Sequence, residues 1–88
     1  PEVLEVSVFP NPARSQATII VTGAVEGERS TIDLFATAGA MHSNVFSGDL
    51  LAKSENRIAL NVEGLPPGVY HCRVISGDRV ATSKVIVE

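Results

Sequence analysis

Seven short segments in which apolar and polar residues alternate most strongly limit how this chain can fold. They lie near residues 3–9, 16–22, 31–36, 41–47, 56–62, 69–76 and 79–87, and clusters of glycine, proline, asparagine, serine or aspartate separate them. Because successive side chains of a β-strand point to opposite faces, a period of two predicts strands with one buried face. No segment shows a convincing 3.6-residue period of an amphipathic helix.

The number and spacing of these segments indicate a fold class. Seven strands about 8–15 residues apart are typical of an immunoglobulin-like sandwich of two antiparallel sheets. The 88 residues fit one domain, 1–88, and 44% of them are hydrophobic, as in globular proteins. The alternation predicts inward positions for Leu4, Val6, Val8, Ile19, Val21, Ile32, Leu34, Ile58, Leu60 and Val62.

The last two strands form a hairpin whose register can be predicted. Ser76-Gly77-Asp78-Arg79 favours a two-residue type II′ turn with Gly77 first in the loop. That register sets Tyr70 opposite Val85 and His71 opposite Lys84. The first pair belongs to the predicted core side, with Cys72 and Val74. The opposite face is then either a set of scattered surface residues or a recognition surface, and it carries Val69, His71, Arg73, Ile75, Val80, Lys84 and Ile86.

No pattern for catalysis or metal binding is present in the sequence. The acidic residues are dispersed, and no calcium-loop spacing, His-x-x-x-His or Cys-x-x-Cys occurs. Cys72 is predicted to be a small buried hydrophobic residue, and His71 points to the other face of its strand, where it cannot activate the thiol. His42 and His71 are expected to be structural residues that face solvent. We therefore expect no enzyme, no cofactor and no metal site.

Charge and hydropathy exclude further classes of partner. A formal net charge of −3 without a basic run argues against binding to nucleic acid or to an anionic membrane. The apolar segments are too short to span a bilayer as helices, and no N-terminal signal pattern is present. If the protein leaves the cell, we expect its signal peptide on a longer precursor that begins before Pro1.

Two proline-containing segments and the closing strand carry the most specific signal. Val8-Phe9-Pro10-Asn11-Pro12-Ala13 ends the first strand, because the residue before a proline is held extended and Pro12 has the φ angle of a turn. In Leu65-Pro66-Pro67-Gly68-Val69-Tyr70, the Pro67-Gly68 pair predicts the centre of a type II turn with positive φ at Gly68. The chain closes with Lys84-Val85-Ile86-Val87-Glu88.

From Val8 to Val87, the order and spacing of these segments resemble the C-terminal sorting domain of the type IX (Por) secretion system, in its type A form. That family has an apolar strand ending in (Tyr/Phe)-Pro-Asn-Pro, then Leu-Pro-x-Gly-x-Tyr and a closing Lys-x-x-Val-like strand. The chain departs from the family after the third strand. There, the segment 34–40 keeps its glycine, Gly39, but lacks the family's aspartate and basic residue.

The resemblance implies a non-catalytic export signal at the C-terminus of a larger secreted protein of a Gram-negative bacterium. The cargo would enter the periplasm by the Sec route and cross the outer membrane through the type IX translocon, to reach the cell surface or the medium. Shuttle proteins and a cell-surface sortase would be its partners, and the sortase would remove the domain and commonly attach the cargo to anionic lipopolysaccharide. The resemblance assigns partner recognition to Pro10, Asn11, Pro12, Leu65, Gly68, Tyr70, Lys84, Val85, Ile86 and Val87.

Recognition is expected to use the folded sandwich, and an exposed edge strand could bind a partner by β-augmentation. Weak self-association of the domain is left open. The alternative is an immunoglobulin-like accessory module of a surface adhesin or hydrolase, which packs on a neighbouring domain or binds carbohydrate. The chain has no tryptophan and only 5% aromatic residues, which disfavours a carbohydrate site.

Overall fold

The alternating segments of the sequence form strands in the computed structural model, which describes residues 3–37 and 41–88. The strands are β1 (Glu5–Phe9), β2 (Gln16–Thr22), β3 (Ser30–Ala36), β4 (Met41–Gly48), β5 (Asn56–Asn61), β6 (Gly68–Ser76) and β7 (Arg79–Val87). Each of the seven predicted strands is confirmed to within two residues at either end. In the described part of the chain, no helix is long and apolar enough to cross a lipid bilayer.

Two antiparallel sheets pack face to face, as predicted for the sandwich. One has the strand order β1-β2-β5, and the other has the order β4-β3-β6-β7. The predicted inward residues lie in the core, with Val6 and Ile58 half-buried at its margin. The predictions for Gly39 and for the side chain of His42 fall outside the described residues. Buried hydrophobic residues are Leu4, Val8, Ala13, Ala17, Ile19, Val21, Ala24, Ile32, Leu34, Leu60, Val62, Tyr70, Cys72, Val74, Val85 and Val87.

The hairpin of β6 and β7 has the predicted register over nine consecutive residue pairs. Tyr70 faces Val85, and His71 faces Lys84. Gly77 has a φ of +59°, whereas no residue other than glycine has a positive φ in the described chain. A positive φ at the first loop residue alone is the mark of a type II′ turn, so the predicted turn type is confirmed.

The turn before β6 is not where the Pro67-Gly68 pair placed it. Gly68 is the first residue of β6, paired with Val87, and its φ is +156° rather than the roughly +80° of a type II turn. The turn lies four residues earlier, where Leu65 N–H donates to the Val62 carbonyl at 3.1 Å and Gly64 has a φ of +87°. The prediction of a type II turn at Gly68 was therefore wrong, because pairing with the end of β7 draws Gly68 into the sheet.

Candidate functional site

The segment after β1 crosses to the other sheet and lies along the free edge of β7. Asn11 is exposed, yet its side chain makes two hydrogen bonds to the backbone of β7. Its Nδ2 donates to the Lys84 carbonyl at 2.9 Å, and its Oδ1 accepts from Ile86 N–H at 2.9 Å. One donor and one acceptor in this arrangement reproduce what the peptide group of a neighbouring strand would supply. The Phe9–Pro10 and Asn11–Pro12 peptide bonds are cis.

The backbone continues this pairing beyond Pro12. Ala13 N–H donates to the Ile86 carbonyl at 2.7 Å, and Glu88 N–H donates to the Ala13 carbonyl at 2.9 Å, which makes a short parallel bridge. Ala13 is fully buried, and the exposed Arg14 pairs with Glu88 at 3.2 Å. Exposed ion pairs contribute little, about 0–1 kcal/mol. The backbone and the Asn11 amide therefore hold the segment on β7.

The second proline-containing segment reaches the same strand from its other side. Gly68 pairs with Val87 and Tyr70 pairs with Val85 in the sheet. The Tyr70 hydroxyl donates to the Pro66 carbonyl at 2.7 Å, which holds the preceding loop against the strand. Three segments far apart in sequence thus form one structural unit at the end of β7. We refer to it as the terminal unit, which comprises 10–13, 65–70 and 84–88.

The structure brings the predicted recognition residues together and divides them by accessibility. Pro10, Asn11, Pro12, Gly68 and Lys84 are exposed, and Leu65 and Ile86 are half-buried. Because the side chains of the remaining residues are buried, they contribute to any contact by shaping the fold. These residues are Tyr70, Val85 and Val87.

The solvent side of the four-stranded sheet combines aliphatic and basic side chains, as predicted for the hairpin. We call it the outer face. At its ends lie the pairs Val69–Ile86 and Ile75–Val80, and between them lie the basic residues His71, Arg73 and Lys84. The Arg73 guanidinium lies 4.6 Å from the centre of the Phe35 ring, a cation–π distance. On the neighbouring strand, Asp33 accepts a hydrogen bond from Asn44 Nδ2 at 3.0 Å. This face therefore carries the cations Arg73 and Lys84 together with one carboxylate, Asp33, which lies opposite Arg73 in the register of β3 and β6.

Cys72 lies in the core, as predicted, with no exposed surface. Burial, and to a lesser extent the negative charge of Asp33, raise the pKa of the Cys72 thiol to about 11. The thiol is therefore protonated at neutral pH, which makes it a poor nucleophile and a poor metal ligand. Within the described residues, no group of three or more histidine, cysteine, aspartate or glutamate side chains could hold a metal ion.

Surface depressions occur away from the terminal unit. One of about 280 Å³ is lined by Thr22, Gly23 and the loop 52–55. Another of about 270 Å³ lies over β1 and β2. Neither includes a predicted recognition residue. The predicted residues therefore point to a flat surface of strand edge and sheet face, which suits a protein partner better than a small molecule.

Sequence reasoning missed the partner of the Asn11 side chain and the burial of Ala13. The pattern Pro-Asn-Pro predicted only the end of a strand, and nothing local indicates a contact with residues more than 70 positions away. Ala13 lies in a short stretch without alternation, so the periodicity that identifies core residues did not apply to it.

Comparison with known proteins agrees with this geometry. The model of a family described as the secretion system C-terminal sorting domain matches residues 7–88. Among solved structures, the chain is similar to the CARDB domain of the PF1109 protein from Pyrococcus furiosus, which was crystallised in complex with di-metal ions. The two share 15% identity with a TM-score of 0.57, over 100% of this chain and 88% of that chain. That similarity supports the immunoglobulin-like fold alone. No curated protein matches the chain.

Proposed function

The chain belongs to the family of type IX secretion system C-terminal sorting domains, and we propose that the export machinery recognises it as a folded unit through the terminal unit. A domain of this family is a sorting signal for export to the cell surface or the extracellular space. The observation that carries the proposal is the pair of hydrogen bonds between the Asn11 side chain and the backbone of Lys84 and Ile86. They join the Pro-Asn-Pro segment to the closing strand.

The way in which the terminal unit is assembled implies that a partner recognises the folded domain and not a linear segment. Its hydrogen bonds connect residues 73 and 75 positions apart. In an unfolded chain those residues would be far apart on average, so a partner that contacts them together must bind the folded domain. The buried Tyr70, Val85 and Val87 then support the exposed residues from below.

The remaining steps of the proposed function concern the path of the cargo. The domain is carried at the C-terminus of a larger protein that enters the periplasm by the Sec route. Shuttle and translocon proteins bind the folded domain and pass the cargo across the outer membrane. A surface sortase then removes the domain. The domain itself has no catalytic role in these steps, which agrees with the protonated and buried state of Cys72.

An export assay tests the function. Residues 1–88 are fused behind a reporter that carries a Sec signal, in a bacterium with an active type IX system and in a matched strain without the translocon. The reporter should reach the surface or the medium in the first strain and stay in the periplasm of the second. Equal surface delivery in the two strains would contradict the proposed function.

A further inference from the structure

The outer edge of β7 is divided into a covered half and an open half. In an antiparallel hairpin, alternate residues direct their backbone N–H and C=O groups away from the partner strand. The groups of Lys84, Ile86 and Glu88 that bind Asn11 and Ala13 show which residues of β7 face this edge. By the same alternation, Val80 and Thr82 also face it. Between the described residues, no backbone hydrogen bond reaches Val80, Thr82 or the Lys84 N–H from that side.

The edge of β4 is less suited to a new strand. The pairing of β4 with β3 contains two register shifts, and such irregularities are a common protection of edge strands. The edges of the smaller sheet are formed by β1 and β5, of five and six residues. The open stretch of β7, Val80 to Lys84, has a similar length, lies in unbroken register with β6 and continues into an edge that Asn11 and Ala13 already pair as a neighbouring strand would. A regular edge with free donors and acceptors is the arrangement that accepts an added strand.

The side chains beside the open half indicate which strand would fit. On the outer face, Lys84 lies on the edge strand opposite His71, and Arg73 of β6 faces Asp33 of β3. A strand added beside β7 would therefore gain from an acidic side chain opposite Lys84. On the inner face, Ala81 and Ser83 are small and only half-buried, unlike the fully buried residues that follow them in β7. An apolar side chain of the added strand on this side would cover the exposed parts of Ala81 and Ser83.

We propose that the Val80–Lys84 edge of β7 is a docking site for an extended strand of the partner protein, in which apolar residues alternate with acidic ones. The strand extends the four-stranded sheet and ends where the Asn11 side chain already occupies the edge. The identity of the partner as a component of the export machinery rests on the proposed function. The binding of such a strand does not, and it can be measured on the chain alone.

A synthetic peptide provides the direct test. The probe is a capped nine-residue peptide of alternating valine and glutamate, with a valine–lysine peptide of the same length as the control, both at low ionic strength. The acidic peptide should slow hydrogen exchange of the Val80, Thr82 and Lys84 amides by about tenfold or more. The lysine peptide should bind at least about tenfold more weakly, because it places like charges opposite Lys84. Absence of binding, equal binding of the two peptides, or protection confined to another edge would overturn the proposal.

Two substitutions at one position test the role of the backbone. Thr82→Pro removes an N–H that faces the open edge and makes no bond to β6, and proline is tolerated at such edge positions. Thr82→Val keeps that N–H and is the matched control. Only Thr82→Pro should lose the peptide-induced protection. If Thr82→Pro fails to fold, Lys84→Glu decides instead, because it should reverse the preference between the two peptides. An unchanged preference, or dimerisation of the chain through this edge in place of peptide binding, would overturn the proposal.

The export assay separates failure of this inference from failure of the proposed function. A reporter fused to the folded Thr82→Pro chain should remain in the periplasm, whereas the Thr82→Val fusion should be exported. Export of both variants at the wild-type level would overturn the edge as the docking site and leave the sorting function standing. Lack of export of the wild-type fusion would overturn the sorting function, while the peptide measurements on the edge would still hold.

Discussion

The side chain of Asn11 donates a 2.9 Å hydrogen bond to the backbone carbonyl of Lys84, 73 residues further along the chain. Its carboxamide oxygen accepts from Ile86 N–H, so a single side chain pairs with the strand edge as a peptide group would. The family's Pro-Asn-Pro segment and its closing strand are therefore parts of one structure. This contact accounts for an asparagine at a position where a simple turn would accept several residues.

Replacing Asn11 should loosen the end of β7. Asn11→Ala removes two exposed hydrogen bonds, and we expect a loss of about 1–2 kcal/mol in the free energy of unfolding. Exchange of the Ile86 amide should become about tenfold faster, since its acceptor is lost. Asn61→Ala is the control, because the Asn61 side chain accepts a local hydrogen bond from Glu63 N–H, two residues further along the chain. An Ile86 amide that exchanges at the wild-type rate in Asn11→Ala would contradict the pairing.

Lys84 should matter for export and not for folding. Its side chain is exposed and forms no ion pair among the described residues. Lys84→Ala should therefore change the free energy of unfolding by no more than about 0.5 kcal/mol. Surface delivery of a fused reporter should nevertheless fall, whereas Lys53→Ala, at the other exposed lysine, should be exported normally. A clear drop in melting temperature for Lys84→Ala would show that this residue supports the fold.

Substitution of Gly64 or Gly68 should destabilise the fold because of the backbone conformation at these positions alone. A methyl group added at Gly64 or Gly68 would meet no atom within 4 Å outside the adjacent residues. The φ angle is however +87° at Gly64 and +156° at Gly68, and residues with a side chain rarely adopt such values. We expect Gly64→Ala to cost about 1–2 kcal/mol and Gly68→Val about 1–3 kcal/mol. Each kcal/mol corresponds to about 4–8 °C of melting temperature in a domain of this size. Glu63→Ala, next to Gly64 and without a positive φ, is the control and should melt like the wild type. If Gly64→Ala melts at the wild-type temperature, the turn with a positive φ at Gly64 would be contradicted.

The buried thiol should make stability depend on alkaline pH. The pKa of Cys72 is raised to about 11 in the folded chain, above its ordinary value of 9.0 in the unfolded chain. Between about pH 9 and pH 11 the unfolded state therefore loses a proton that the folded state keeps, and the free energy of unfolding decreases as pH rises. Below about pH 9 this contribution to stability is fully present. Urea unfolding across that range should show a steeper decline for the wild type than for Cys72→Val. Parallel pH profiles would argue against a buried, protonated thiol.

Much of the fold could be predicted because its determinants are local. The period-two alternation is present within each strand, and a two-residue loop at Gly77 sets the whole register of β6 and β7. One residue of slip would turn Tyr70 and Val85 to solvent, so the buried face reinforces that register. The same reasoning predicted Cys72 as a core residue and Lys84 as an exposed one.

Gly68 shows where local reasoning failed. A Pro-Gly pair has a real preference for a type II turn, yet that preference competes with the hydrogen bonds of a sheet. Pairing with Val87 recruits Gly68 into β6, and the turn forms at Gly64 instead. The competition depends on a strand that lies almost twenty residues further along the chain, which no local rule includes.

The sequence by itself determined the strands, the hairpin register and most of the core, because each depends on alternation or on the geometry of a short turn. Only the tertiary structure decided that Asn11 and Ala13 lie on the edge of β7 and that no other described segment pairs with the half from Val80 to Lys84. The physical reason is that a sheet edge is completed by whichever segment the folded chain brings beside it. Which segment that is depends on the path of the chain between the two sheets, and not on the residues of the edge.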